Sequence, residues 1–243
     1  MQKITTTALL LPGISPDLSW VARALHADRL ILDDLHPFQR KSRIHRIKAR
    51  TATAHQWLTL PVATEDRNKP VHQVHMAPES RWAVHFLKAL EFNYRNSPWY
   101  DFYEPEIIED IEQAASYRKL IDVVLHLLQR QWRYLELPWR AEMASELTPR
   151  ADYTSTRTVP PNHEALPALE GIVWQEASSR HFQRPHPLAQ TVHFPEFTYR
   201  QHFGGFEFGC SLFDILFELG PESWHLFDRI RASNPLIHTK KPE

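Results

Sequence analysis

Two short apolar runs, residues 7–11 (TALLL) and 29–32 (RLIL), flank a segment with helical signals. Strand, helix and strand within about 30 residues point to a βαβ unit, which pairs its strands in parallel. The first run stops at Pro12 and Gly13. Ser15 is the candidate N-cap of the helix, Pro16 takes its first position, and Trp20, Val21, Ala24 and Leu25 form its apolar face. In a parallel sheet, ligands collect beyond the carboxyl ends of the strands. Here those ends are residues 12–15 and the acidic pair Asp33 and Asp34, followed through His36.

A cationic segment comes next, with Arg40, Lys41, Arg43, Arg46, Lys48 and Arg50 close together in a chain whose formal net charge is only −1. That balance argues against a dedicated nucleic-acid binder, which needs a broad positive excess to neutralise phosphates. A basic site must therefore be local, suited to an anionic or polyhydroxylated ligand. The chain has 243 residues, 42% of them hydrophobic, enough for a sizeable core. Six glycines stand against nineteen prolines, and neither GxGxxG nor a Walker sequence occurs, which lowers the case for dinucleotide or P-loop chemistry. One cysteine, Cys210, cannot form an intrachain disulfide. The N-terminus reads as no signal peptide, and no apolar run approaches the roughly 20 residues of a spanning helix, so a cytoplasmic protein is expected.

Residues 42–50 and 56–62 read as an antiparallel hairpin, with Leu58, Leu60 and Val62 on one face and Arg46, Lys48 and Arg50 sharing the other side of their strand. That cationic face is either solvated or a cradle for phosphate or carboxylate. Residues 71–76 suggest one more strand. Residues 81–94 have helical spacing, with His85 and Lys88 among the apolar positions, and His85 is either structural or a base. Trp99, Tyr100, Phe102 and Tyr103 are expected to pack the core. An exposed patch there would instead mark a partner surface. Residues 107–134 indicate two helices, and residues 138–170, with Pro138, Pro149, Pro160, Pro161 and Pro167, an extended loop. The helix at 211–219 is capped by Ser211 and ended by Gly220 and Pro221; its Asp214 must face solvent or find a cation or amide donors, with an ion pair to the 40–50 arginines preferred. The tail from about residue 232 is expected to fray.

Fifteen histidines form no HExxH or other metal spacing; His72 with His75, and His181 with His186, are scattered pairs. No metal is expected, and no motif names a cofactor. Cys210 precedes a helix start but reads as a packed thiol rather than a nucleophile, and GxSxG is absent.

The run of LLPG, LILDDLHPFQRKSRIHRIKA, QWLTLPV, RWAVHFLKALEFNYRNSPWY and SLFDILFELGPES resembles the WbqC-like family of bacterial proteins over most of the chain. Members are associated with gene sets for O-antigen and other surface polysaccharides, and some are described as glycine or acyl transferases. The matching positions are Asp33 and Asp34, Gln39 and Arg40, Ser42 and Arg43, Arg46 with Lys48, His85 with Lys88, Tyr94, and Ser211 with Asp214. Two departures stand out: a proline-rich stretch replaces a longer middle region, and His45 precedes Arg46 where asparagine is common.

The resemblance implies a transferase moving an acyl or aminoacyl group to an amino sugar or nucleotide sugar. Arg43, Arg46 and Lys48 would hold phosphates, and Asp34 or His85 would take the proton. Asp33, Gln39, Arg40, Lys88, Tyr94, Ser211 and Asp214 complete the expected substrate site, and the expected partners are an anionic small molecule and polysaccharide-biosynthesis enzymes. The alternative is a non-enzymatic glycan-precursor-binding or accessory protein of the same pathway. The expected architecture is one α/β domain over residues 1–243, a mixed sheet begun by the βαβ unit, with a hairpin and a mostly helical second half.

Overall fold

The computed structural model describes residues 5–78, 80–147, 171–175 and 189–238, without the side chains of 189 and 236–238. The sequence folds first into the expected βαβ unit: β1 (Thr6–Leu10), α1 (Leu18–His26) and β2 (Arg29–Leu32), with Thr7 opposite Arg29 and Leu10 opposite Leu32 in parallel register. Helix α1 starts later than its sequence suggests. Asp17, not Ser15, is its N-cap and accepts from the Trp20 amide at 3.0 Å. The Ser15 hydroxyl is committed elsewhere, donating to Gln131 Oε1 at 2.5 Å and accepting from the Phe213 amide at 3.3 Å.

The antiparallel hairpin follows as β3 (Arg46–Arg50) and β4 (His55–Thr59), with Lys48 opposite Trp57. Residues 71–76 do not make a strand; Val71–Gln73 is a 3-10 turn. The backbone amides that a ladder would use go to other partners: Val71 and His72 donate to the His36 and Asp34 carbonyls at 3.0 and 3.1 Å, and His75 to the Asp66 carboxylate at 2.7 Å.

Three helices come next, α2 (Trp82–Tyr94), α3 (Tyr100–Ala114) and α4 (Leu120–Tyr134). Of the aromatic cluster, Tyr100 and Tyr103 are buried and Phe102 is 62% exposed, so the cluster mostly serves the core and forms no continuous outward patch. The stretch read as an extended loop contributes β5 (Ala141–Met143) and a short helix, α5 (Ala144–Leu147), before the described residues break off at 147. Pro149, Pro160, Pro161 and Pro167 lie outside the described residues, as do His181 and His186.

The remaining elements are β6 (Ile172–Gln175), β7 (Ala189–His193), α6 (Leu212–Leu219), α7 (Ser223–Ala232) and β8 (Leu236–His238). Among the described residues the main sheet runs β5-β2-β1-β6-β7-β8, parallel except for β8, which pairs antiparallel with β7. A tail expected to fray from about 232 thus supplies an edge strand, because backbone groups at a sheet margin can be satisfied by an added strand whatever the side-chain pattern. The fold is α/β: a mixed sheet, a separate hairpin and a helical second half.

Strand alternation divides the core. Ala8, Leu10, Leu30 and Leu32 join the large cluster with α1, α4 and α6, while Leu9, Ile31 and Val173 turn to the other face and meet Ala144 and Leu147 of α5. Trp20 of α1 meets Trp132 of α4 edge to face at 5.7 Å, and Gln131 of α4 donates to the Ile14 carbonyl at 2.7 Å, which fixes the loop after β1. Helix α6 ends where the sequence says, at Gly220, with φ +49°. A Cβ there would stand 2.5 Å from the Trp99 ring. Gly220→Ala is expected to lower stability by about 2–4 kcal/mol, from left-handed backbone strain plus overpacking, seen as a lower urea midpoint with unchanged slope.

Candidate active site at the reversal of strand order

The connection from β1 leads to β2 on one side of it, while β6 lies on the other side and leads on to β7. A sheet whose strand order reverses in this way opens a crevice at the carboxyl ends of the strands. A cavity of about 370 Å³ beside the start of α1 and the end of β7 is lined by Asp17, Ser19, Arg43, His193, Tyr199 and Cys210. Its volume falls within the range of small-molecule sites.

Each side chain is placed by an identifiable local cause. Asp17 caps α1 with one carboxylate oxygen and pairs with the Arg43 guanidinium through the other, so the helix start holds a half-exposed arginine at the rim. His193 ends β7. Tyr199 donates its hydroxyl to Asp214, and Gln201 donates to the same carboxylate oxygen at 2.9 Å. Asp214 is 0% exposed, in the first turn of α6, where the helix dipole favours the charged form. Burial outweighs the dipole and the hydrogen bonds from Tyr199, Gln201 and Tyr94, and pushes the carboxyl up to about 6. No cation joins it among the described residues, so the expected ion pair with the 40–50 arginines gives way to a hydroxyl and an amide. Burial, then the charge of Asp214, raises the Cys210 thiol to about 12, which keeps it a packed, protonated cysteine.

The other sequence candidates are dispersed around this cleft. Tyr94 is fully buried, accepting from the Arg50 amide at 2.8 Å. Ser211 occupies the N-cap position of α6, but its hydroxyl makes no capping bond and is buried without a partner, while its amide donates to the Lys48 carbonyl at 3.0 Å. Lys48 pairs with Glu207 and donates to the Phe208 carbonyl at 2.5 Å. Arg50 is buried and donates to the carbonyls of Thr51, Ala54 and Gly204 at 2.7, 2.8 and 2.7 Å. These two tie the hairpin to the 204–208 loop rather than facing solvent. Arg40 and Arg46 line a different cavity, Gln39 is half-buried beside Arg40, and His85 and Lys88 are exposed on α2.

The acidic pair forms its own bracket. Asp34 accepts from the Ser145 amide at 2.9 Å and from its hydroxyl at 2.5 Å, tying β2 to α5. Asp33 is buried, with the His36 ring 3.8 Å away. Burial first, then the charge of Asp34, pushes its carboxyl up to about 7, against the amides of His36 and Leu35.

Sequence reasoning missed Asp17, His193, Tyr199 and Gln201. Asp17 carried a readable signal as a cap-forming residue beside Pro16, and His193 as a histidine closing the run AQTVH. Among the described residues no group of three or more metal-ligating side chains occurs, and no helix is long and apolar enough to cross a membrane.

Comparison with known proteins gives this architecture its relatives. A family model described as the WbqC-like protein family matches residues 12–226. A protein named "Uncharacterized protein Rv1507c", from Mycobacterium tuberculosis, is 25% identical over 201 residues, covering 80% of this chain and 84% of its own. No solved structure matches significantly. The family match begins in the loop that leaves β1 and ends within α7, so it takes in both rims of the cleft and the helix that carries Asp214, and the chain belongs to the WbqC-like protein family.

Proposed function

We propose that this protein is a cytoplasmic transferase of bacterial surface-polysaccharide biosynthesis, moving an acyl or aminoacyl group onto an amino sugar or nucleotide sugar, with the cleft at the strand reversal as its reaction centre. One observation carries the reading: a cation, an imidazole and a phenol hydroxyl bonded to a buried carboxyl line the same cavity. Arg43, held from one side by Asp17, offers its remaining donors to a phosphate or carboxylate. The acceptor amine attacks the acyl carbonyl, the new C–N bond forms and the bond to the leaving group breaks. His193 receives the amine proton and passes it to the leaving group.

Tyr199 keeps its proton directed at Asp214 and accepts from Gln201 at 3.5 Å, leaving one oxygen lone pair to orient the acceptor. Of the sequence candidates the proposal keeps Arg43, Tyr94, Ser211 and Asp214 around the cleft. It assigns proton transfer to His193 rather than to Asp34, whose oxygens are occupied by Ser145, or to His85 on the exposed face of α2.

The test is incubation of the purified protein with a nucleotide-linked amino sugar and an acyl-CoA or aminoacyl donor, followed by mass spectrometry of the sugar. A mass increase equal to the acyl group is expected, with Arg43→Gln raising KM about tenfold and His193→Gln lowering kcat by about 100-fold. Saturable binding of the sugar with no product from any donor would overturn the reading in favour of a binding protein of the same pathway.

A further inference from the structure

The loop that sends Arg43 to the cleft sends its neighbours elsewhere. Arg40, Lys41, His45 and Arg46 line a second cavity of about 600 Å³, together with Thr59, Leu60 and the segment leading to Arg67. The two cavities share no lining residue. The walls are firmly built: Leu60 donates its amide to the His45 carbonyl at 2.7 Å, Ala63 donates to His75 at 3.0 Å, and β3 and β4 pair immediately beyond.

This basin concentrates unneutralised positive charge. Among the described residues Lys48, Arg43, Lys69 and Arg130 each have a carboxylate partner, whereas Arg40, Lys41, Arg46 and Arg67 have none. Nearby acids are already engaged: Asp66 holds Lys69 and His75, and Glu65 accepts the Thr64 hydroxyl at 3.4 Å. Arg46 is preorganised rather than mobile, its guanidinium stacked 4.2 Å over Trp57, with a buried Nε that has no partner. A stacked guanidinium keeps its in-plane donors free for an oxyanion. His45, 2% exposed, adds a second buried nitrogen without a partner, Nδ1. Burial and the charge of Arg43 both lower the affinity of Arg46 for its proton, and a bound anion would reverse that penalty.

We propose that this basin is a second binding site, separate from the cleft, for a small molecule bearing a diphosphate group. The clustered cations match a multiply charged oxyanion better than a single carboxylate, and the Thr59 hydroxyl supplies a neutral donor. The apolar wall from Leu60 to Ala63 suits the organic part of such a ligand. A local basin on a chain of net charge −1 lacks the extended positive surface that a nucleic-acid backbone requires. The inference needs no transfer chemistry and stands apart from the proposed reaction.

The experiment is isothermal titration of the full-length protein with inorganic pyrophosphate. The wild type should bind one equivalent. Arg40→Gln combined with Arg67→Gln should weaken binding about tenfold or more, the scale of one lost charge-assisted hydrogen bond, with an unchanged thermal midpoint because both side chains are exposed. His193→Gln in the cleft should bind as the wild type does. Absence of binding, binding undiminished in the double variant, or binding lost in His193→Gln would each overturn the proposal. A single-stranded oligonucleotide that binds more tightly than pyrophosphate and is lost in the double variant would replace it with a nucleic-acid surface. None of these outcomes depends on turnover, so failure here and failure of the transferase reading are distinguishable.

Discussion

Asp214→Ala is expected to destabilise the protein by about 3–5 kcal/mol, a large part of the stability of a typical domain. The substitution leaves the Tyr199 hydroxyl and the buried Gln201 amide without their acceptor, and opens a void in the first turn of α6. Urea denaturation near pH 4, where ionisation of the raised carboxyl takes nothing from the wild type, would read this as a lowered midpoint, and the difference should shrink toward pH 7. Asp214→Asn separates structure from function, because its amide oxygen still accepts from Tyr199 and its shape is nearly the same. With asparagine the fold should survive while transfer falls. The wild-type rate should rise as pH passes about 6, where the carboxylate forms and fixes the Tyr199 proton, and that limb should vanish in the variant. A pH–rate profile unchanged by Asp214→Asn would confine the residue to a structural role.

Asp33→Asn is expected to act in the opposite direction. The folded chain holds the Asp33 proton up to about 7, against an ordinary value of 3.8, so between those limits it binds a proton that the unfolded chain releases. Stability from this group is therefore complete below about 4 and declines as pH rises through 7, by about 4 kcal/mol at 1.36 kcal/mol per unit. Asparagine carries no such charge and can still accept from the His36 and Leu35 amides. The variant should match the wild type near pH 4 and exceed it by about 2–4 kcal/mol at pH 8, measured by denaturant unfolding at both values. Parallel pH dependence in the two proteins would mean that Asp33 is ionised in the fold. A carboxyl that costs stability at working pH, at the end of a parallel strand, fits a position retained for function.

The parts of the architecture that could be read directly were those carried by local pattern. The βαβ unit declares itself through two apolar runs and the prolines and acids that end them; the hairpin through alternation at Leu58 and Leu60; and α6 through a mostly apolar octet stopped by Gly220. The strands β5 and β8 were not readable, because three-residue edge strands are defined by the neighbour's free backbone groups rather than by their own side chains. The same limit misplaced the start of α1. Ser15 and Asp17 are both competent caps, and the choice fell to Asp17 because Gln131 and Phe213, far along the chain, engage the Ser15 hydroxyl.

The cationic segment shows what sequence alone determined and what tertiary structure decided. Composition and spacing established that strong positive charge is local, that it follows an acidic strand end, and that the chain is α/β. They could not distribute that charge. Arg43 goes to the cleft, Lys48 and Arg50 bind the 204–208 loop, and Arg40 and Arg46 open a basin of their own. Asp214 was likewise legible as a carboxylate requiring partners, yet its partners proved to be a phenol and an amide rather than an arginine. Periodicity reports which face of an element is buried, because that depends on the element's own geometry. Which polar groups meet depends on long-range closure of the chain, where desolvation and hydrogen bonding decide among many candidate partners that the sequence cannot rank.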